Sequence, residues 1–317
     1  MKRINRMYVI MLLVPLFWGG SFATAEHVIT EIPPITAATI RFGLASFILI
    51  GIIFMKSEWN TSLLLKNWKG LLFVSLTGIF GYNVFFFMGL NYTSSLNGSL
   101  IIATMPVFVT LGAILFFKES WSIKVGISLM LSLIGVIVVI TSGSMNILMS
   151  LSFNKGDLLF IAALICGVLY SLTGKKVMSG VSPLLTTMSM TVLGTVFLAG
   201  FSLYEDGWGK VLTLSLQGWL EMLYMVICGT LIGYIVFNKG VEELGASKAS
   251  MYLNLTPIVA TGIAVIVYGA VVTWQQVVGM IIVLIGVYIA TVQSNKDIKK
   301  LSHNQYVFEI GRNNWTL

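Results

Sequence analysis

The sequence predicts an all-α, polytopic membrane fold of ten transmembrane helices in two inverted five-helix repeats. Three observations carry that reading. Apolar residues make up 57% of the 317-residue chain and charged residues 10%, against roughly 25% charged in a soluble domain. No soluble core hides so much apolar surface, because single cores stop growing near about 250–300 residues. Ten apolar segments follow one another along the chain, each of about 20 residues and so able to cross a ~30 Å hydrocarbon layer. Finally, a spaced quartet occurs twice: Gly89, Ser99, Pro106 and Gly135, then Gly240, Ser250, Pro257 and Gly286, at a constant offset of 151 residues. Five spans per copy is an odd number, so the second copy enters the bilayer upside down relative to the first.

The spans fall at 8–27, 35–55, 70–90, 96–117, 122–142, 157–176, 183–204, 219–239, 247–268 and 273–292. The first follows Lys2, Arg3 and Arg6 and ends near Ala23-Thr24-Ala25, which resembles a signal-peptide cleavage site. Its apolar run is longer than a usual signal core, and cleavage would leave the first repeat one helix short, so it reads as a retained span. The second carries Arg41 about six residues inside, roughly 9 Å from its end. Asn83 and Phe87 share a face of the third, and Pro106 interrupts the fourth. Small residues Ser128, Ser132 and Gly135 line the fifth and permit close helix contact. The connection from Thr141 to Gly156 joins the copies, and Asp157 opens the sixth span as its expected N-cap. Cys166 in the sixth and Cys228 in the eighth lie mid-span, where they read as small apolar packers. The eighth also carries Tyr234 and Asn238, the ninth Ser250, Asn254 and Pro257, and the tenth Gly279 and Gly286. The repeats thus cover 8–142 and 157–292, and the polar stretch 293–317 reads as a cytoplasmic tail.

With the amino terminus inside, sixteen of the nineteen Lys and Arg residues fall on the cytoplasmic side, only Lys155 and Lys210 outside, and Arg41 within a span. That asymmetry is the positive-inside rule and sets both termini in the cytoplasm of a multi-pass protein of the cytoplasmic membrane. The net charge of +7 therefore reports topology and contact with anionic lipid, with no nucleic-acid partner.

Phe17-Trp18-Gly19-Gly20-Ser21-Phe22, Pro34 with Arg41, and Pro106 with Lys118-Glu119 resemble the drug/metabolite transporter superfamily in its ten-helix EamA-type branch. Gly156-Asp157, Gly245-Ala246 before Pro257, and Gln276, Gly279 and Gly286 fit the same pattern, so the resemblance spans about 8–292. It implies export or exchange of small metabolites, frequently amino acids or related compounds. Two positions depart from the pattern: Glu26 stands where the family often has a lysine, and Ala270 where a glutamate matching Glu119 is common.

No Asp or Glu occupies a helix centre, so a central carboxylate proton switch is not supported. The charge candidates are Glu26, Arg41, Glu119 and Glu221, with Glu221 a conceivable partner for Arg41. An intramembrane Arg is a functional candidate, although it can also snorkel or pair structurally. Polar and aromatic groups do reach the midplane, where an unpaired amide or hydroxyl costs several kcal/mol. Trp18, Ser21, Asn83, Phe87, Thr104, Tyr170, Tyr234, Asn238 and Asn254 are accordingly the expected cavity residues, and Pro106 and Pro257 the expected hinges. Such a lining suits neutral substrates better than charged ones. The expected partners are a small-molecule substrate and the lipid bilayer, with the chain a monomer or homodimer.

An intramembrane enzyme and a lipid-interacting or regulatory membrane protein are the rival readings. Only His27, at the very end of the first span, and His303 occur, and no HExxH or intramembrane Asp pair is present. No catalytic site, metal or cofactor is therefore expected.

Overall fold

In hydrocarbon each backbone N–H and C=O must find its partner inside the protein, and a helix satisfies that within one segment. The computed structural model describes residues 6–93, 95–118, 121–149, 154–259, 261–262 and 271–289, and every regular element among them is helical. Among the described residues eight helices are long and apolar enough to span: α1 (Arg6–Glu31), α2 (Pro34–Met55), α3 (Trp68–Leu90), α4 (Leu100–Phe117), α5 (Ile123–Thr141), α6 (Lys155–Val177), α7 (Pro183–Ser202) and α8 (Leu216–Leu244). The ninth predicted span begins as α9 (Ala246–Met251), continued by a 3₁₀ turn over Tyr252–Leu255, and α10 (Trp274–Ile289) is a shorter apolar helix. Glu119, Ala270 and the predicted tail 293–317 lie outside the described residues. Large apolar side chains such as Phe47, Leu115, Phe116 and Val196 point outward, as expected where the solvent is lipid.

The helix ends are capped by short polar motifs. Asn154, not Asp157, is the N-cap of α6: its side chain accepts from the amides of Gly156 (2.7 Å) and Asp157 (3.2 Å). Asp157 sits three residues later and accepts from the Asn154 amide at 2.8 Å, so the pair forms a capping box. The other Asp157 oxygen accepts from Thr93 at 2.8 Å and ties the end of α3 to α6.

Irregular backbone recurs at matching places in the two halves. A π-helical stretch occupies Ser75–Gly81 in α3 and Met225–Ile232 in α8, ending 151 residues apart. In α4 the helix opens into a turn at Ala103–Thr104, and the 3₁₀ turn of α9 lies in the corresponding stretch. Pro106 therefore does not kink a continuous helix. It lies in the first turn of a fresh segment, Met105–Phe117, where its missing N–H leaves no helical bond unmade.

Packing follows the same pattern. Gly89 of α3 lies against Phe160 of α6, and Gly240 of α8 against Met11 of α1. The helices α5 and α10 meet backbone to backbone: a Cβ at Gly135 would lie 2.7 Å from the Val283 nitrogen, and one at Gly279 2.9 Å from the Gly135 oxygen. Small residues permit this approach.

Candidate functional site

A cavity of about 380 Å³ lies between the two halves, within the usual size range for a small-molecule site. The first half contributes Trp18, Ser21, Arg41, Asn83 and Met105, and the second Tyr170, Ser171, Tyr234, Phe237 and Thr256.

The two π-helical stretches position its aromatic wall. A π-turn disturbs the regular i−4 bonding and frees carbonyls for other donors. Trp18 Nε1 donates to the Gly229 carbonyl at 2.8 Å, and the Tyr234 hydroxyl donates to the Gly78 carbonyl at 3.3 Å. The two acceptors are 151 residues apart, one in each π-stretch. The Trp18 ring packs 5.2 Å from Tyr234 and 5.3 Å from Phe237, and Tyr170 lies 6.0 Å from Phe237. Behind this wall the Tyr170 hydroxyl donates to Asn238 Oδ1 at 2.7 Å, and Asn238 Nδ2 donates to Thr187 Oγ1 at 2.8 Å. Three helices, α6, α7 and α8, are joined by that chain of bonds.

The cavity runs from Tyr170, Ser171 and Phe237 toward Glu26, Ile140 and Gln276, near the ends of α1, α5 and α10. Glu26 is exposed. Met11, Val241, Leu244 and Tyr252, on the far side of Phe237 from Tyr234 along these helices, are buried in the hydrophobic core. Tyr252 donates to the Tyr8 carbonyl at 3.0 Å, and the hydroxyls of Thr110 and Ser247 lie 2.8 Å apart.

Of the residues expected from sequence, Trp18, Ser21, Asn83, Tyr170 and Tyr234 line the cavity, together with Pro257, Glu26 and Arg41. Phe87 is buried beside Phe86, whose ring faces the cavity instead, because the inward face of α3 centres on Tyr82, Asn83 and Phe86. Thr104 turns back to the Ile101 carbonyl at 2.7 Å. Asn238 is in the interhelical chain just described. Asn254 is buried, and its Oδ1 has no hydrogen-bond partner among the described residues. Pro106 is buried outside the lining. Glu221 does not reach Arg41: it lies 2.7 Å from His27 Nδ1 and accepts from Gln217 at 3.0 Å. Sequence reasoning missed Gly78 and Gly229, whose role is to offer carbonyls and space; their only signal was their 151-residue separation.

The chain is similar to known proteins over most of its length. The model of the EamA-like transporter family matches twice, over residues 5–141 and 154–292. An "Uncharacterized transporter YyaM" of Bacillus subtilis (strain 168) is 32% identical over 291 residues, covering 92% of this chain and 95% of the relative. A "Probable amino-acid metabolite efflux pump" of Salmonella typhimurium is 26% identical over 290 residues, covering 88% of this chain and 92% of the pump. A solved crystal structure superposes with a TM-score of 0.77 at 16% identity, covering 92% of this chain and 98% of the other, which shows a shared fold. A helical, lipid-facing chain with a cavity walled by both halves, each matched by the same family model, belongs to the EamA-like transporter family and is a multi-pass membrane transporter.

Proposed function

We propose that this transporter moves small metabolites, with amino acids and related compounds the leading class, across the cytoplasmic membrane by alternating access, as an exporter or exchanger. The repeats at 8–142 and 157–292 would rock about a site between them, with both termini cytoplasmic. The observation that carries the reading is the cavity itself. It is walled by both halves, its lining reaches Glu26, Ile140 and Gln276 near one set of helix ends, and Met11, Val241 and Tyr252 are buried in the core. The lysine distribution puts the Glu26 end outside, so this conformation corresponds to the outward-facing member of the cycle. Irregular backbone at matched depths in α3, α8, α4 and α9 is the arrangement in which transporters build midplane sites and hinges. The amino-acid class takes further support from the relative named as an amino-acid metabolite efflux pump.

Counterflow into proteoliposomes preloaded with unlabelled amino acids, read with each labelled amino acid in turn, tests the proposal. Accumulation of a labelled solute above its equilibrium level supports it. Equal signals from loaded, unloaded and protein-free vesicles across the panel would reject it.

A further inference from the structure

Arg41 is a buried cation on the cavity wall. It lies about 10 Å into α2, is 6% exposed, and forms part of the cavity wall. Its Nε donates to Thr230 Oγ1 at 2.9 Å, and its guanidinium carbon stands 5.0 Å from the Phe42 ring. These contacts hold the group in place without neutralising it. Among the described residues no carboxylate lies within ion-pair distance of it. Glu221 is engaged by His27, Glu205 accepts from the amides of Ile35 and Thr36 at the start of α2, and Glu31 accepts from Ser215. Arg41 therefore does not snorkel outward and has no counter-ion among the described residues, although a buried charge without a partner is costly.

The guanidinium packs against a glycine: Gly229, in the π-stretch of α8, has no Cβ, and one built there would meet Ser21 Oγ and Arg41 Nη2. With Nε held by Thr230, the remaining guanidinium donors are available to the cavity. A planar guanidinium pairs best with a carboxylate, through two parallel N–H···O bonds. The rest of the wall is aromatic and apolar, including Trp18, Phe86, Tyr234 and Phe237.

From this geometry we propose that Arg41 is the anion subsite of the cavity and that the substrate carries a carboxylate on an apolar or aromatic body. The proposal rests on the transport reading for its cavity and adds an acidic group to a lining whose composition alone favours neutral molecules. Glu26 borders the same cavity nearer the helix ends, so a second negative charge on the substrate would be opposed there, and a monocarboxylate fits best.

The test is equilibrium binding to the purified full chain in detergent, with radiolabelled 3-phenylpropionate as probe and unlabelled 3-phenylpropionate or 3-phenylpropionamide as competitor. The acid is expected to compete at least about ten-fold better than the amide, the factor that one charge-assisted hydrogen bond supplies. Arg41→Gln should lose saturable binding by at least that factor, and Arg41→Lys should fall between. No saturable binding, an acid-to-amide ratio near one, or unchanged binding in Arg41→Gln each overturns the proposal. The acid-to-amide ratio is read on the unaltered protein, so it decides even where a variant fails to fold. Binding needs no flux: loss of binding with neutral-solute flux intact removes only this inference, whereas binding without any flux removes the transport reading.

Discussion

Replacing Asn238 with leucine should destabilise the protein, because Asn238 joins three helices rather than facing the cavity. The substitution removes the acceptor of the Tyr170 hydroxyl (2.7 Å) and the donor to Thr187 (2.8 Å). Interhelical hydrogen bonds in membranes average ~0.6 kcal/mol and reach ~1.7 kcal/mol. Two lost bonds therefore amount to about 1–3 kcal/mol. Tyr170→Phe removes one of them and keeps the ring against Phe237, so its cost should be about 0.6–1.7 kcal/mol. Since both substitutions break the Tyr170–Asn238 bond, the double variant should lose less than the sum of the two, by the value of that shared bond. Unfolding by SDS in mixed micelles, followed by circular dichroism, gives all four stabilities. Costs that add fully, or an Asn238→Leu protein as stable as the parent, would refute the reasoning.

Gly135→Val should cost at least about 3 kcal/mol or abolish the folded yield, because the added atoms meet Val283 and Gly279 backbone that cannot yield; Gly51→Val, with open space at its Cβ, should retain normal yield on size-exclusion chromatography. Pro106→Ala and Pro257→Ala should leave probe affinity within about two-fold and slow turnover, if the segment boundaries they mark are hinges; unchanged turnover in both, measured by counterflow, would remove the hinge assignment. Reporter fusions after Lys69, Lys176 and Lys299 should read cytoplasmic, and those after Glu31 and Asp206 external; an external carboxyl terminus would contradict the inverted-repeat topology.

Much of the fold was legible because lipid imposes it. Apolar runs of spanning length follow from the physics of the bilayer, and α1 to α8 lie where those runs predict. The site was legible only in part. Trp18, Ser21, Asn83, Tyr170 and Tyr234 share the cavity, as polar and aromatic groups at midplane depth should. Asn238 carries the same sequence signal but spends its amide on neighbouring helices, and no rule on residue type separates those fates. Glu221 illustrates a second limit: a carboxylate at a helix end pairs with whichever base is near, and His27 was nearer than Arg41. The π-stretches lie inside uninterrupted apolar runs, so periodicity gave no mark of the carbonyls they release at Gly78 and Gly229. Asp157 and Pro106 were read by their commonest roles, N-cap and kink. A preceding Asn154 and the turn at Ala103–Thr104 changed both.

On the proposed mechanism, substrate passes through the cavity between the halves. Thr256, just after the 3₁₀ turn that continues α9, and Ala103 of α4 border it, and Thr256→Trp or Ala103→Phe would project a large ring into it. Counterflow of labelled amino acids should then fall at least about ten-fold in both variants, as expected when a ligand is excluded sterically from its pocket. Folded yield should stay normal, and the outward-facing control Phe47→Leu should transport as the parent does. Parental rates of counterflow in both cavity-filled proteins would contradict the account.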